Sequence, residues 1–183
     1  DRHTAVDYAH VLKDLADRRF AQAKTIVLVQ DNLNIHCKAS LYEAFPAAGL
    51  LPADRAARAH CRSICGEMNS GFQNLRSSLP MNLKARHPGY KVWAGAKPDI
   101  ERVTEIWREC LARYGGPYLF GQHRTMADAM FAPVATRFVT YDVALDAACA
   151  AYVKTVLGMP EMKAWTAAAR LEPEDIQELD MDF

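Results

Sequence analysis

GPYLFGQHRTMADAMFAPVATRF, residues 116–138, is the stretch whose reading decides the fold. Thr125 and Asp128 stand three apart immediately before an apolar run, the Thr-x-x-Asp arrangement of a helix capping box. In such a box the Thr125 hydroxyl accepts from a first-turn amide while the Asp128 carboxylate reaches back to the Thr125 amide, so the helix start is fixed twice. Every requirement is met within four residues. Thr125 and Asp128 therefore read as a folding device and not as catalysts.

Upstream of the box, PDIERVTEIWRECLARY opens with Pro98 and Asp99, which suit a first helical turn, and spaces Ile100, Val103, Ile106, Trp107 and Leu111 as an apolar stripe. Gly115, Gly116 and Pro117 close that helix. Further upstream, DRAARAHCRSICGEMNSGFQNLRSSLPMNLKAR reads as one long helix from Asp54, with Ala57, Cys61, Ile64, Met68, Phe72 and Leu75 three or four apart, until Pro80 kinks or ends it. Downstream, LDAACAAYVKTVLGM and PEMKAWTAAAR predict two more helices, divided by Gly158 and restarted at Pro160. The expected class is mainly α: a helical bundle over residues 54–170.

The first 46 residues are patterned differently. TAVDYAHVLKDLADRRF places Val6, Ala9, Leu12 and Ala16 on one face of an amphipathic helix. KTIVLVQDN, residues 24–32, is a short β-branched apolar run of the kind that forms a strand buried on both faces. No second convincing strand accompanies it, so it is either misread, paired with another copy, or poorly folded. The expectation is a small helix-strand-helix appendage over 1–46, then a junction at 47–53, where FPAAGLLPAD interrupts the pattern with Pro, Gly and small residues. At the other end LEPEDIQELDMDF, residues 171–183, has no Lys or Arg and reads as a solvated acidic tail.

Half of the 183 residues are apolar, enough to bury a core, and 22 basic residues balance 22 acidic ones. A zero net charge gives no overall field to steer the chain to nucleic acid or an anionic membrane, so DNA binding is not expected. No apolar run approaches the roughly 20 residues that cross a bilayer. Five cysteines, an odd number, with no basic-apolar-small leader pattern, point to a reducing, cytoplasmic setting. Cys61 and Cys65 are four apart on a predicted helix and could supply two metal ligands, but no further ligands stand at compatible spacing. Buried, inert thiols are the preferred reading, and no metal is expected.

The helix order from residue 54, the Gly-Gly-Pro closure, and above all FG followed by Thr-x-x-Asp and AMFAPVATRF, resemble the carboxy-terminal helical domain of bacterial glutathione transferases. That resemblance covers about 120 residues. It implies a helical domain forming an apolar wall for an electrophilic substrate, with Glu67, Ser70, Asn74 and Met81 as candidate pocket residues. Read without it, those four are core or solvated surface. The family's glutathione site belongs mainly to a thioredoxin-like half with a catalytic Ser, Tyr or Cys and a cis-proline, and nothing before residue 50 matches that half. Conjugation needs a thiolate held by a donor aimed at the sulfur, and no matching donor motif is present. The implied activity is weak or absent, with glutathione as co-substrate if the chain is active. A non-catalytic module that forms a homodimer or binds an apolar small molecule is the alternative.

DRHTAVDYAHVLKDLADRRF, KTIVLVQDNLNIH and ASLYEAFP resemble a stretch of the DDE transposases of Tc1/mariner-like insertion sequences. This resemblance implies a ribonuclease-H-like fragment in which Asp31 matches the second metal-binding acid, followed by Asn32, and His36 a His that follows it. Glu67 stands at a tempting distance for the third acid, but GEMNSGF belongs to the transferase-like helix. With one true ligand no paired-metal site forms. A gene fusion carrying an insertion-sequence remnant is the implied origin.

Overall fold

The computed structural model describes residues 5–22 and 49–173, and the chain divides into two compact units, Asp1–Ala53 and Asp54–Phe183. In the first unit, α1 spans Ala5–Asp14 and continues as a π-helical turn, Leu15–Arg19. Ala9 is sealed and Leu12 and Ala16 are half-buried, the face the sequence marks as apolar. Lys13 pairs with Asp17, and Asp14 receives Arg19 at 3.0 Å, so local ion pairs flank this face. The expected strand at 24–32, and Asp31, Asn32, Cys37 and His36, lie outside the described residues.

The described part of the second unit is built of helices joined by loops: α2 Arg55–Ser70, α3 Gln73–Ser78, a 3₁₀ turn Ala94–Ala96, α4 Lys97–Tyr114, α5 Met126–Thr140, α6 Ala147–Leu157 and α7 Pro160–Leu171. Its centre is α5, which packs on α2 and α6, while α6 also meets α4 and α7. The reason is in its composition. Phe131, Val134, Ala135 and Phe138 are buried together with Met126, Ala127 and Ala132, so most of the circumference is apolar, and the alanines let neighbouring axes approach. Trp107 of α4 meets Phe131, Phe138 and Tyr152 with ring centroids 6.1, 5.4 and 4.9 Å apart, and all four are sealed from solvent. Burying one such ring contributes about 1.5–3 kcal/mol.

Pro133 sits inside α5 and has no amide to donate to the carbonyl of Ala129. Ala129 is exposed, so that carbonyl can meet water, and the helix continues. The Pro133 carbonyl accepts from the Thr136 hydroxyl at 2.8 Å and from Arg137 at 3.2 Å. Arg137 also donates to the Leu79 carbonyl at 2.8 Å, tying α5 to the end of α3.

The single long helix expected from Asp54 is instead two. Asp54 caps α2 as its side chain accepts from Ala57 N at 2.8 Å, but α2 stops at Ser70. A Cβ at Gly71 would lie 2.8 Å from the Glu67 carbonyl oxygen, and Phe72 then turns left-handed at φ 61°. That conformation costs a bulky residue about 1–3 kcal/mol. Burial of the phenyl ring, 7% exposed, offsets it. The short α3 is capped from a distance: Asp99, in the first turn of α4, accepts from Leu75 N at 2.9 Å. Apolar spacing alone carries through the break because Phe72 and Leu75 remain on the buried side.

Candidate functional site

The four residues implied as a substrate wall fall along α2, α3 and the segment after Pro80. Glu67, half-buried, receives Arg102 of α4 in a two-pronged pair at 2.8 and 3.1 Å, and Arg102 also donates to Glu105 at 2.6 Å. Glu67, then Glu105, raise the Arg102 pKa above its ordinary value. The Ser70 hydroxyl donates to the Gly66 carbonyl at 2.9 Å, Asn74 is exposed, and Met81 is half-buried. No hydrogen bond or ion pair joins any two of these four. Glu67 has its charge committed sideways to Arg102, while Ser70 and Asn74 are exposed.

The Thr125–Asp128 pair forms the capping box its spacing predicts. Asp128 is fully buried, and its Oδ2 accepts from Thr125 N at 2.7 Å and from the Thr125 hydroxyl at 3.1 Å. Its Oδ1 accepts from Leu119 N at 3.0 Å and from the Tyr152 hydroxyl at 3.2 Å. One carboxylate thus ties together the loop before α5, the start of α5 and the middle of α6. Burial first, and the neighbouring Asp128 charge second, push the Tyr152 phenol well above its usual pKa. Sequence reasoning finds the two box residues but not Leu119 or Tyr152. A Tyr on the buried stripe of a helix needs a partner for its hydroxyl, and that was the available signal.

Cys61, Cys65, Cys110 and Cys149 are free thiols and all are buried. A hydrogen bond from Cys65 draws the Cys61 thiol below its ordinary pKa against the opposing effect of burial, with further help from the Ala127 amide and the Thr125 hydroxyl at the start of α5. The same Cys61 contact, with burial, pushes Cys65 up. Burial takes Cys110 and Cys149 up to about 12. Among the described residues no group of three or more His, Cys, Asp or Glu side chains could hold a metal ion.

Two open clefts lie elsewhere on this unit. One, of about 260 Å³, is bordered by Leu83, Arg86, Val139, Leu157, Lys163 and Arg170, among others. The second, of about 610 Å³, shares Val139 and Leu157 with it and is otherwise mostly apolar, with Phe138, Val143, Leu145 and Val153. Neither is lined by Glu67, Ser70, Asn74 or Met81.

Residues 90–168 match the family model for the glutathione S-transferase C-terminal domain. The chain is also 31% identical over 118 residues to the "Glutathione S-transferase-like protein OpS6" of Beauveria bassiana (strain ARSEF 2860), a match covering 54% of this chain and 49% of that protein. The chain therefore spans about half the length of the curated relative it matches. The span similar to the glutathione S-transferase C-terminal domain runs from just before the 3₁₀ turn into α7 and contains the whole Asp128 network. The four candidate wall residues precede it. Among the described residues no helix is long and apolar enough to cross a membrane.

Proposed function

We propose that this chain is a glutathione S-transferase-like protein whose helical unit offers the wall for an apolar electrophile, and that by itself it conjugates glutathione weakly or not at all. The match over residues 90–168 supports the first half of this reading. For the second, the nucleophile of such chemistry is a thiolate stabilised by an exposed donor. The hydroxyls of Thr125 and Tyr152 are instead directed at buried Asp128. Glu67, Ser70, Asn74 and Met81 are the residues proposed to meet the electrophile, with glutathione as co-substrate when a thiol-activating half is supplied.

The test is conjugation of a reactive aryl halide to glutathione by the purified chain, together with retention on immobilised glutathione. The expected rate is at or slightly above the uncatalysed background, with little or no retention. Efficient saturable conjugation, far above background, overturns the reading.

A non-catalytic module that dimerises or binds apolar molecules is the second reading, favoured by the larger, mostly apolar cleft and by exposed Trp93 and Trp165. It predicts a stable dimer by light scattering, and a clean monomer that binds no apolar dye removes it. Residues 1–46 are proposed as a transposase-derived segment without a complete metal site, carrying Asp31, Asn32 and His36 as relics. Magnesium-dependent nicking of supercoiled DNA that disappears in Asp31→Ala would show otherwise.

A further inference from the structure

The smaller cleft, between α5, the end of α6 and α7, has a distinctive electrostatic composition. Among the described residues three exposed cations border it, Arg86, Lys163 and Arg170, and no acidic residue does. Three exposed guanidinium groups elsewhere on this unit are matched: Arg102 with Glu67 and Glu105, Arg108 with Asp146 at 2.8 Å, Arg124 with Glu161 at 2.6 Å. Arg86 instead donates to the carbonyl of Ala85 and, at 3.5 Å, to the Thr140 hydroxyl, and none of the three cleft cations has a carboxylate partner among the described residues. The formal charge of the chain is zero, so this cluster does not follow from a general excess of bases. Half-buried Leu83, Val139 and Leu157 share the lining with them.

We propose that this cleft binds a small amphiphilic anion, a carboxylate of about eight carbons being the best fit, with its head among Arg86, Lys163 and Arg170 and its alkyl chain on Leu83, Val139 and Leu157. Three like charges around one opening repel one another, and an anion between them relieves that repulsion. A bare inorganic anion would leave the leucines and valine wet, whereas a neutral hydrocarbon would leave the cations unmatched. The volume, about 260 Å³, lies just below the roughly 300–1,000 Å³ of pockets that enclose drug-sized ligands, which selects a short chain. Neither glutathione nor the proposed electrophile wall takes part, so this inference stands or falls separately from the transferase reading.

Titration calorimetry of the full chain with sodium octanoate at low salt tests it, with octan-1-ol and inorganic phosphate as the uncharged and headgroup-only probes. Octanoate is expected to bind one per chain, with octanol and phosphate at least about tenfold weaker, and hexanoate about tenfold weaker for its two missing methylenes. Combining Arg86→Gln, Lys163→Gln and Arg170→Gln should weaken octanoate by at least about tenfold, while Arg86→Lys with Arg170→Lys stays within about threefold. These side chains are exposed, so the variants should keep the native circular dichroism. Amide shifts on binding should centre on Val139 and Leu157. The proposal is overturned by no octanoate binding, by octanol binding as tightly, or by unchanged affinity in the natively folded triple variant.

Discussion

Asp128 shows how one side chain takes on more than its local pattern implies. Its spacing from Thr125 predicts a helix start, and the structure adds donors from Leu119 and from Tyr152, which is 24 positions away. Asp128→Ala should therefore cost about 3–5 kcal/mol in urea unfolding, since it strands two amides and a phenol inside the protein. Tyr152→Phe, which removes a single donor, should cost about 1 kcal/mol. A loss of about 1 kcal/mol in Asp128→Ala, with none in Tyr152→Phe, would mean that the carboxylate acts as a simple cap. The box was legible because both its members lie within one turn, whereas the Leu119 and Tyr152 contacts exist only once α6 and the loop fold onto α5.

Helix ends separate what could be read from what could not. Gly115, left-handed at φ 69°, ends α4 where the sequence places a stop, and Pro160 opens α7 as expected. The break at Gly71 and Phe72 was hidden because the buried spacing continues through it and a non-glycine residue takes the left-handed turn. Asp146 caps α6 by accepting from Cys149 N at 2.9 Å. That bond first, and Arg108 second, lower its carboxyl from 3.8 to about 2. A carboxyl depressed in the folded state stabilises above its unfolded value, and that contribution fades as pH falls from about 4 towards 2. Asp146→Ala should cost about 1 kcal/mol at pH 7, and its Tm difference from the parent should shrink towards zero near pH 2. A difference independent of pH would rule out the charged cap.

At the scale of the whole chain, Asp54–Phe183 is compact in its own right, capped at its first residue and centred on α5. A chain beginning at Asp54 should accordingly unfold in one calorimetric transition, with a Tm within about 4 °C of that unit's transition in the full protein. Loss of cooperativity in the shortened chain would mean that the first 53 residues are required for folding. The mainly α class and the order of helices were legible from stripes, caps and breakers. The wall residues Glu67, Ser70, Asn74 and Met81 rested on resemblance alone. The cationic cleft was invisible, because Arg86, Lys163 and Arg170 come from separate segments and only folding brings them to one opening.

The burial of Trp107 gives the protein an internal optical gauge. Its indole is sealed against Tyr152 and two phenylalanines, whereas Trp93 and Trp165 are 59% and 43% exposed. Acrylamide should quench two emitters readily and leave a blue-shifted third. Any opening of the bundle then registers as a red shift of that protected component, so loosening of the core can be followed optically without a label.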